Sequence, residues 1–246
     1  MAHNGRNRVV LKLSGRALGG VGRAFEVEQI ERTVRQIKQA VTSVSNLELA
    51  ITIGGGNILR GSELIKKMPS FDPAVAHYAG MVGTLANALI LEHALESEGV
   101  ECRLMSALPI KEVCEPFIFK RARRHLDNRR VLILAAGTGR PFFTTDTGAV
   151  NSAAALRAEG VYKATDVAGA FDCDPKKNPH ARFLSRLSYR ECRSLDLQIL
   201  DMTAIDAASE SRIPLHIFDF FGEVPEGEEC NLVKALSGQE IGSIIS

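Results

Sequence analysis

The chain has 246 residues, 45% of them hydrophobic, enough to bury a sizeable core in one large domain or two small ones, which excludes an intrinsically disordered protein. Lys and Arg total 30 against 29 acidic side chains, so a formal charge of +1 offers nucleic acid or an anionic membrane no global attraction, and partners must be held at local sites. Five cysteines without a CxxC pair, a start lacking a long apolar core, and no uncharged apolar stretch near the roughly 20 residues of a membrane helix predict a soluble cytoplasmic protein.

The first predicted element is a strand over "VVLKL" (9–13), which carries Lys12 among apolar neighbours and ends in Ser14 and Gly15. A lysine there costs desolvation unless its ammonium meets an anion or reaches water, and the sequence leaves both open. A helical pattern over 26–44 leads to a second strand, "LELAITI" (47–53), which runs into three glycines, Gly54 to Gly56. Glycines at a strand end let main-chain amides approach an anion, and Arg60 adds a fork suited to phosphate; a flexible turn is the simpler alternative. After a loop over 66–73 come a long alanine-rich helix (74–99), a strand (101–105) and a helix (115–126). The basic run "KRARRHLDNRR" (120–130) reads as a solvated helix face and turn. The next strand (130–136) opens into "GTGRPFFTTD", followed by a helix (146–159) and a strand (161–164). A second loop (171–183), a helix (201–211) and a strand (214–218) complete the pattern.

Strands alternating with helices, several of the strands apolar throughout, predict an α/β protein with a mainly parallel sheet covered on both faces. There is no internal repeat, and one domain over 1–246 is expected, with two functional halves meeting near residue 145. Ligands of such sheets bind beyond the carboxyl ends of the strands, which points to Ser14 and Gly15, the glycine triplet and "GTGRPFFTTD". Neither GxxxxGK[ST] nor GxGxxG occurs, so P-loop and Rossmann assignments lose their support. Two anion sites facing each other suggest phosphoryl transfer, in which positioning and charge neutralisation do most of the catalysis. Histidines 3, 93, 125, 180 and 216 show no paired ligand spacing, and no structural zinc site is expected.

The strings "LKLSG", "IGGGNILRG", "LMSALPI", "GTGRPFFTTD", "KAT" (163–165), "DP" (174–175) and "LD" (200–201) occur in order between Arg8 and about Ile245. In them the chain resembles the bacterial uridylate (UMP) kinases of the amino acid kinase superfamily; "GTGxPFFTTD" is the most specific string, whereas "GGGN" is shared with carbamate, acetylglutamate and aspartate kinases. The resemblance implies a three-layer α/β/α sandwich without a P-loop and transfer of the γ-phosphoryl group of magnesium-bound ATP to UMP. It also implies a homohexamer, activation by GTP and inhibition by UTP. It places Lys12, Leu13, Ser14, Gly15, Gly56 and Arg60 on the triphosphate, and Thr165, Phe171 and Asp174 near the adenosine. Gly55, His77, Thr138, Gly139, Arg140, Pro141, Phe142, Phe143, Thr144 and Thr145 fall on the UMP side. The resemblance sets Lys12, Arg60, Asp146 and Asp201 at the reacting phosphates, and the two aspartates are expected to orient the lysine and the magnesium shell, with the ion carried by ATP and not by a metal site of the protein. Each aspartate also precedes a helical pattern and is a candidate N-cap. Acceptor and phosphate residues fall mainly before residue 146, and ATP residues mainly after it.

Five positions depart from the family pattern. Arg16 stands for a glutamate, His77 for the aspartate that holds the UMP ribose, Arg140 for an asparagine, and Asp166 and Ala168 for a lysine and an aspartate. Arginine only donates hydrogen bonds and brings a fixed charge, so a more basic acceptor pocket is one consequence and tolerated substitution is the other. Two alternatives accompany the UMP kinase expectation: a non-catalytic nucleotide or oxyanion binder with the same fold, and a kinase of the superfamily with a different acceptor.

Overall fold

Continuous apolar runs become central strands because both faces of the sheet are covered, while each intervening helix buries one stripe. The computed structural model describes residues 7–20, 23–197, 199–225 and 227–246; His3 and the rest of the chain's start lie outside them. The first half runs β1 (Asn7–Leu13), α1 (Val27–Ser43), β2 (Leu47–Ile53), α2 (Gly61–Lys67), α3 (Pro73–Ser97), β3 (Cys102–Ser106), β4 (Glu115–Pro116), α4 (Phe119–Asp127) and β5 (Val131–Ala135). The second half runs α5 (Thr145–Leu156), β6 (Gly160–Thr165), β7 (Ala170–Phe171), β8 (Phe183–Leu184), β9 (Arg186–Leu187), α6 (Tyr189–Ser194), α7 (Met202–Ser211), β10 (Leu215–Asp219), α8 (Asn231–Leu236) and β11 (Ser243–Ile245).

One sheet joins both halves in the order β4-β3-β5-β2-β1-β6-β10-β11-β9, and every pairing in it is parallel except that of β10 with β11. The two-residue side-chain period divides β1 between two cores. Val9, Leu11 and Leu13 face a core closed by α1, α3 and α8. Val10 faces the opposite core, built on α4, α5, α6 and α7. By the same alternation Lys12 lies on the α5 side, and in β6 Lys163 lies two residues beyond Val161 of that core. The register sets Lys12 directly beside Lys163. The three-layer α/β/α arrangement with a mainly parallel sheet is thus present.

The helix expected over 115–126 begins only at Phe119. Pro116 is extended in β4, and the Phe117 amide donates to the Ser106 carbonyl, so the sheet edge claims those residues before the helix starts. The 171–183 loop is the tip of a hairpin whose short strands, β7 and β8, pair antiparallel. Helix α3 is long and apolar enough to cross a membrane by length and composition, an exception to the expectation that no segment would be; yet Ala76, Leu85, Ala88, Leu91 and Leu95 on its inner face are buried in the core.

Candidate active site

At the carboxyl ends of β1 and β6 two lysines converge on one acid. Lys12 Nζ lies 2.8 Å from Asp146 Oδ1, and Lys163 Nζ lies 2.6 Å from Asp146 Oδ2. Lys163 also donates to the Ile199 carbonyl. All three side chains are nearly enclosed, 11–13% exposed. Burial opposes ionisation of Asp146, but the two ammonium groups outweigh it and hold the carboxyl below its usual range. Burial, with the neighbouring Lys12 charge, pulls Lys163 below the ordinary lysine value, against the opposing effect of Asp146 and a smaller opposing effect of Asp201. Two cations on one carboxylate leave the triad itself with a net positive charge in a place where charge is costly, so an anion that reached it would be strongly favoured.

Two cavities meet at Lys12 of this triad. One, of 600 Å³, is lined by Lys12, Ser14, Lys163, Thr165, Phe171 and Asp174 among others. The second, of 550 Å³, is lined by Lys12, Ser14, Gly15, the Gly54 to Gly56 triplet, Arg60 and Thr145. Lys12, Ser14 and Arg16 belong to both, and the buried Ser14 hydroxyl has no hydrogen-bond partner among the described residues. An unsatisfied buried hydroxyl beside an excess of positive charge suits a phosphate oxygen.

The glycine triplet is shaped by packing as well as by any ligand. A Cβ on Gly55 would sit 2.7 Å from the Gly80 carbonyl oxygen and 2.8 Å from the Thr84 amide nitrogen, so the backbone of α3 requires glycine there. Asn57 and Asn87 exchange amide hydrogen bonds at 3.1 and 2.7 Å, and Asn87 donates to the Gly54 carbonyl at 2.6 Å, which stiffens the loop from behind. Arg60 lies over Gly56, its Nη1 3.5 Å from Glu63, and remains exposed toward the cavity.

The chain enters and follows "GTGRPFFTTD" through left-handed residues: Ala136 just before it, and Gly137, Gly139 and Phe142 within it, all have positive φ. Phe142, at φ 69°, is 66% exposed, and its ring meets His77 with centroids 4.9 Å apart. Thr144 caps α5, accepting from the Asp146 and Thr147 amides at 3.0 and 3.3 Å while its own hydroxyl donates to Asp201. That hydroxyl is therefore committed to the fold. Asp201 caps α7 and also accepts from the Thr147 hydroxyl at 3.0 Å. Only one of the two candidate N-caps is a cap: Asp146 is the second residue of α5, and its carboxylate goes to the lysines.

Of the residues expected on the donor side, Lys12, Ser14, Thr165, Phe171 and Asp174 share the 600 Å³ cavity, whereas Gly15, Gly56 and Arg60 line the 550 Å³ one. Leu13 stands apart: its side chain is fully buried, and its carbonyl accepts from the Gly54 amide at 2.9 Å. The acceptor-side residues do not share one cavity. Gly55 and Thr145 line the 550 Å³ cavity, and Thr138 lines a separate one of 270 Å³ with Met105, Phe117 and Leu134. Pro141 is half-buried, while Phe143 and Arg140 are exposed, and Arg140's main chain bonds the Thr138 hydroxyl at 3.2 and 3.3 Å.

Lys163 is the residue that sequence reasoning missed. Its signal was present: "VYKA" repeats the pattern of a lysine inside an apolar strand that singled out Lys12. Two of the five departures meet each other, Arg16 Nη1 lying 2.5 Å from Asp166 Oδ2. Hydrogen bonds from Arg16 first, and from Lys176, hold Asp166 well below the usual carboxylate range against partial burial. Since a glutamate and a lysine are expected at these positions, the two signs have been exchanged together and attraction is kept. Nothing in the structure explains Ala168.

Fold and site together define an α/β protein of the phosphate-binding class that works without a P-loop. The chain belongs to the amino acid kinase family, whose profile matches residues 7–219. It is 45% identical over 241 residues to the chloroplastic uridylate kinase PUMPKIN of Arabidopsis thaliana, covering 97% of this chain and 68% of that protein. It is 42% identical over 240 residues to the uridylate kinase of Rubrobacter xylanophilus, covering 97% and 91%. The crystal structure of a UMP kinase from Bacillus anthracis superposes with a TM-score of 0.90 at 33% identity, covering 98% of this chain and 96% of that one.

Proposed function

We propose that the protein is a UMP kinase, transferring the γ-phosphoryl group of ATP to UMP to give UDP and ADP. The observation that carries this reading is the Lys12–Asp146–Lys163 triad at the junction of two cavities, in a chain whose relatives are uridylate kinases. ATP occupies the 600 Å³ cavity, with its adenosine toward Thr165, Phe171 and Asp174, and the acceptor phosphate enters the cavity of the glycine triplet. Lys12 and Lys163 neutralise charge that builds on the transferring group, and Asp146 fixes where their ammonium groups point. Arg60, which the resemblance puts on the triphosphate, lines the cavity of the glycine triplet instead, and there it holds the acceptor phosphate together with Thr145. An ionised phosphate monoester needs no general base, so the site's work is alignment and charge compensation.

Magnesium fits this site as a passenger of the triphosphate. Among the described residues no group of three His, Cys, Asp or Glu side chains stands ready to hold an ion, while Asp146 is taken by lysines and Asp201 by hydroxyl and amide donors. Bound to phosphate oxygens and water, the ion would supply further charge neutralisation. The same proposal extends to a homohexamer activated by GTP and inhibited by UTP. Exposed Val75, Tyr78 and Val82 on the outer face of α3 support a contact between copies. Five free cysteines fit a reducing compartment such as the cytoplasm.

Coupled ADP release across a panel of nucleoside monophosphates tests the reading. Multiple turnovers with UMP are expected. Nucleotide binding without turnover, or fast turnover on another acceptor and none on UMP, would overturn it.

A further inference from the structure

Asp166 lies just beyond β6 on the wall of the 600 Å³ cavity. Its Oδ2 atom receives two cations from different elements. Arg16, from the turn after β1, approaches to 2.5 Å, and Lys176, at the tip of the β7–β8 hairpin, pairs with the same oxygen. Arg16 is itself braced, its guanidinium 5.7 Å from the centre of the Phe221 ring. The hairpin tip is a preformed turn: Asp174 accepts from the Lys176 amide at 3.0 Å through its side chain and from the Asn178 amide at 2.9 Å through its carbonyl. Lower down, Phe171 and Phe183 meet edge to face at 5.5 Å, and Asp172 accepts from the Arg182 amide at 2.8 Å. The turn is thus stiff within itself, and Lys176 lashes it to the body of the protein across the cavity.

We propose that Asp166 is a positioning residue, the middle of an Arg16–Asp166–Lys176 clasp that holds the hairpin tip over the donor cavity and thereby sets the affinity for the nucleotide donor. This rests on the reading of that cavity as the ATP site. The pairs are partly exposed, so their worth lies in where they hold the hairpin and only slightly in global stability. A clasp makes a prediction of opposite sign from a mere ionic placeholder. If Asp166 only occupied two cations that ATP later takes over, removing its charge would tighten ATP binding; if it holds the hairpin in place, removal loosens binding.

The test uses Asp166→Asn, Asp166→Glu, Lys176→Ala and the Asn/Ala double variant. A clasp raises KM for ATP by about fivefold in Asp166→Asn and in Lys176→Ala, with kcat and Tm little changed. Asp166→Glu restores KM, and the double variant is no worse than either single one. Without nucleotide, trypsin should cut after Lys176 and Lys177 several-fold faster in Asp166→Asn than in the wild type. An unchanged or lower KM in Asp166→Asn, or additive losses in the double variant, would overturn the clasp and assign Lys176 to direct contact with ATP. Calorimetry of the wild type with a non-hydrolysable ATP analogue separates the two levels. No binding would sink the donor reading and the clasp with it, whereas binding equal to that of Asp166→Asn would sink the clasp alone.

Discussion

Lys163 and Lys12 share one carboxylate, but the protein treats them differently. Lys163 donates to the Ile199 carbonyl as well as to Asp146, and burial drives it below the ordinary lysine range, whereas Lys12 lines both cavities. The structure therefore predicts that Lys163→Ala lowers kcat by roughly 10²–10³, the size of losing one preorganised charge donor, while KM for UMP changes little. Initial-rate kinetics at saturating ATP would show it; a kcat within a factor of about three of wild type would remove the lysine from the charge-neutralising role. The sign with pH follows from the depressed value. The ammonium is the useful form and is lost earlier than an ordinary lysine's, so the wild-type rate declines on the alkaline side before that range is reached. Lys12 is legible in the sequence because it is a charged side chain inside an apolar strand that ends in Ser14 and Gly15. Lys163 lies in both "VYKA" and the family string "KAT", but neither gives it a role, because the register that pairs the two lysines is a property of the sheet.

At the scale of elements, the contact between the glycine triplet and α3 fixes where the loop after β2 stands. Gly55 lies against the backbone of α3 at Gly80, Gly83 and Thr84, and backbone cannot swing aside as a flexible side chain can. Gly55→Ala is expected to cost about 1–3 kcal/mol as overpacking, seen as a lower Tm. Gly54→Ala is the control, since its Cβ would find its nearest neighbour at 3.5 Å, an ordinary contact. Equal melting of both variants would show that α3 gives way. The elements legible from sequence are those with clean apolar patterns: the six central strands, helices α1, α3, α5 and α7, and α4 except for its start. The short pieces β4, β9, β11, α2, α6 and α8 were not, because two to seven residues carry little periodicity and form only against tertiary partners. The site followed the same division. Strand ends were readable, whereas the capping of α5 by Thr144 and the Arg16–Asp166 pair depend on distant elements meeting.

At the scale of the whole molecule, α3 presents an inner face to the core and an outer face carrying Val75, Tyr78 and Val82. If that outer face joins copies in the proposed assembly, Val82→Glu should shift the sedimentation profile toward smaller species while leaving the far-UV circular dichroism unchanged. An unaltered profile would move the contact elsewhere. The single sheet has another consequence, which concerns synthesis. Lys12 is made early, but β6, which brings Lys163 beside it, lies far along the chain, and α5, which carries Asp146, comes only just before β6. At roughly 5–20 residues per second, a nascent chain spends many seconds with β1 and β2 available and no triad to hold a phosphate. A one-residue slip of β6 against β1 would turn Lys163 to the opposite layer. If the triad serves the proposed transfer, the first turnover of a newly made copy waits until β6 has docked beside β1 in register, and it reports that this part of the sheet is correctly threaded.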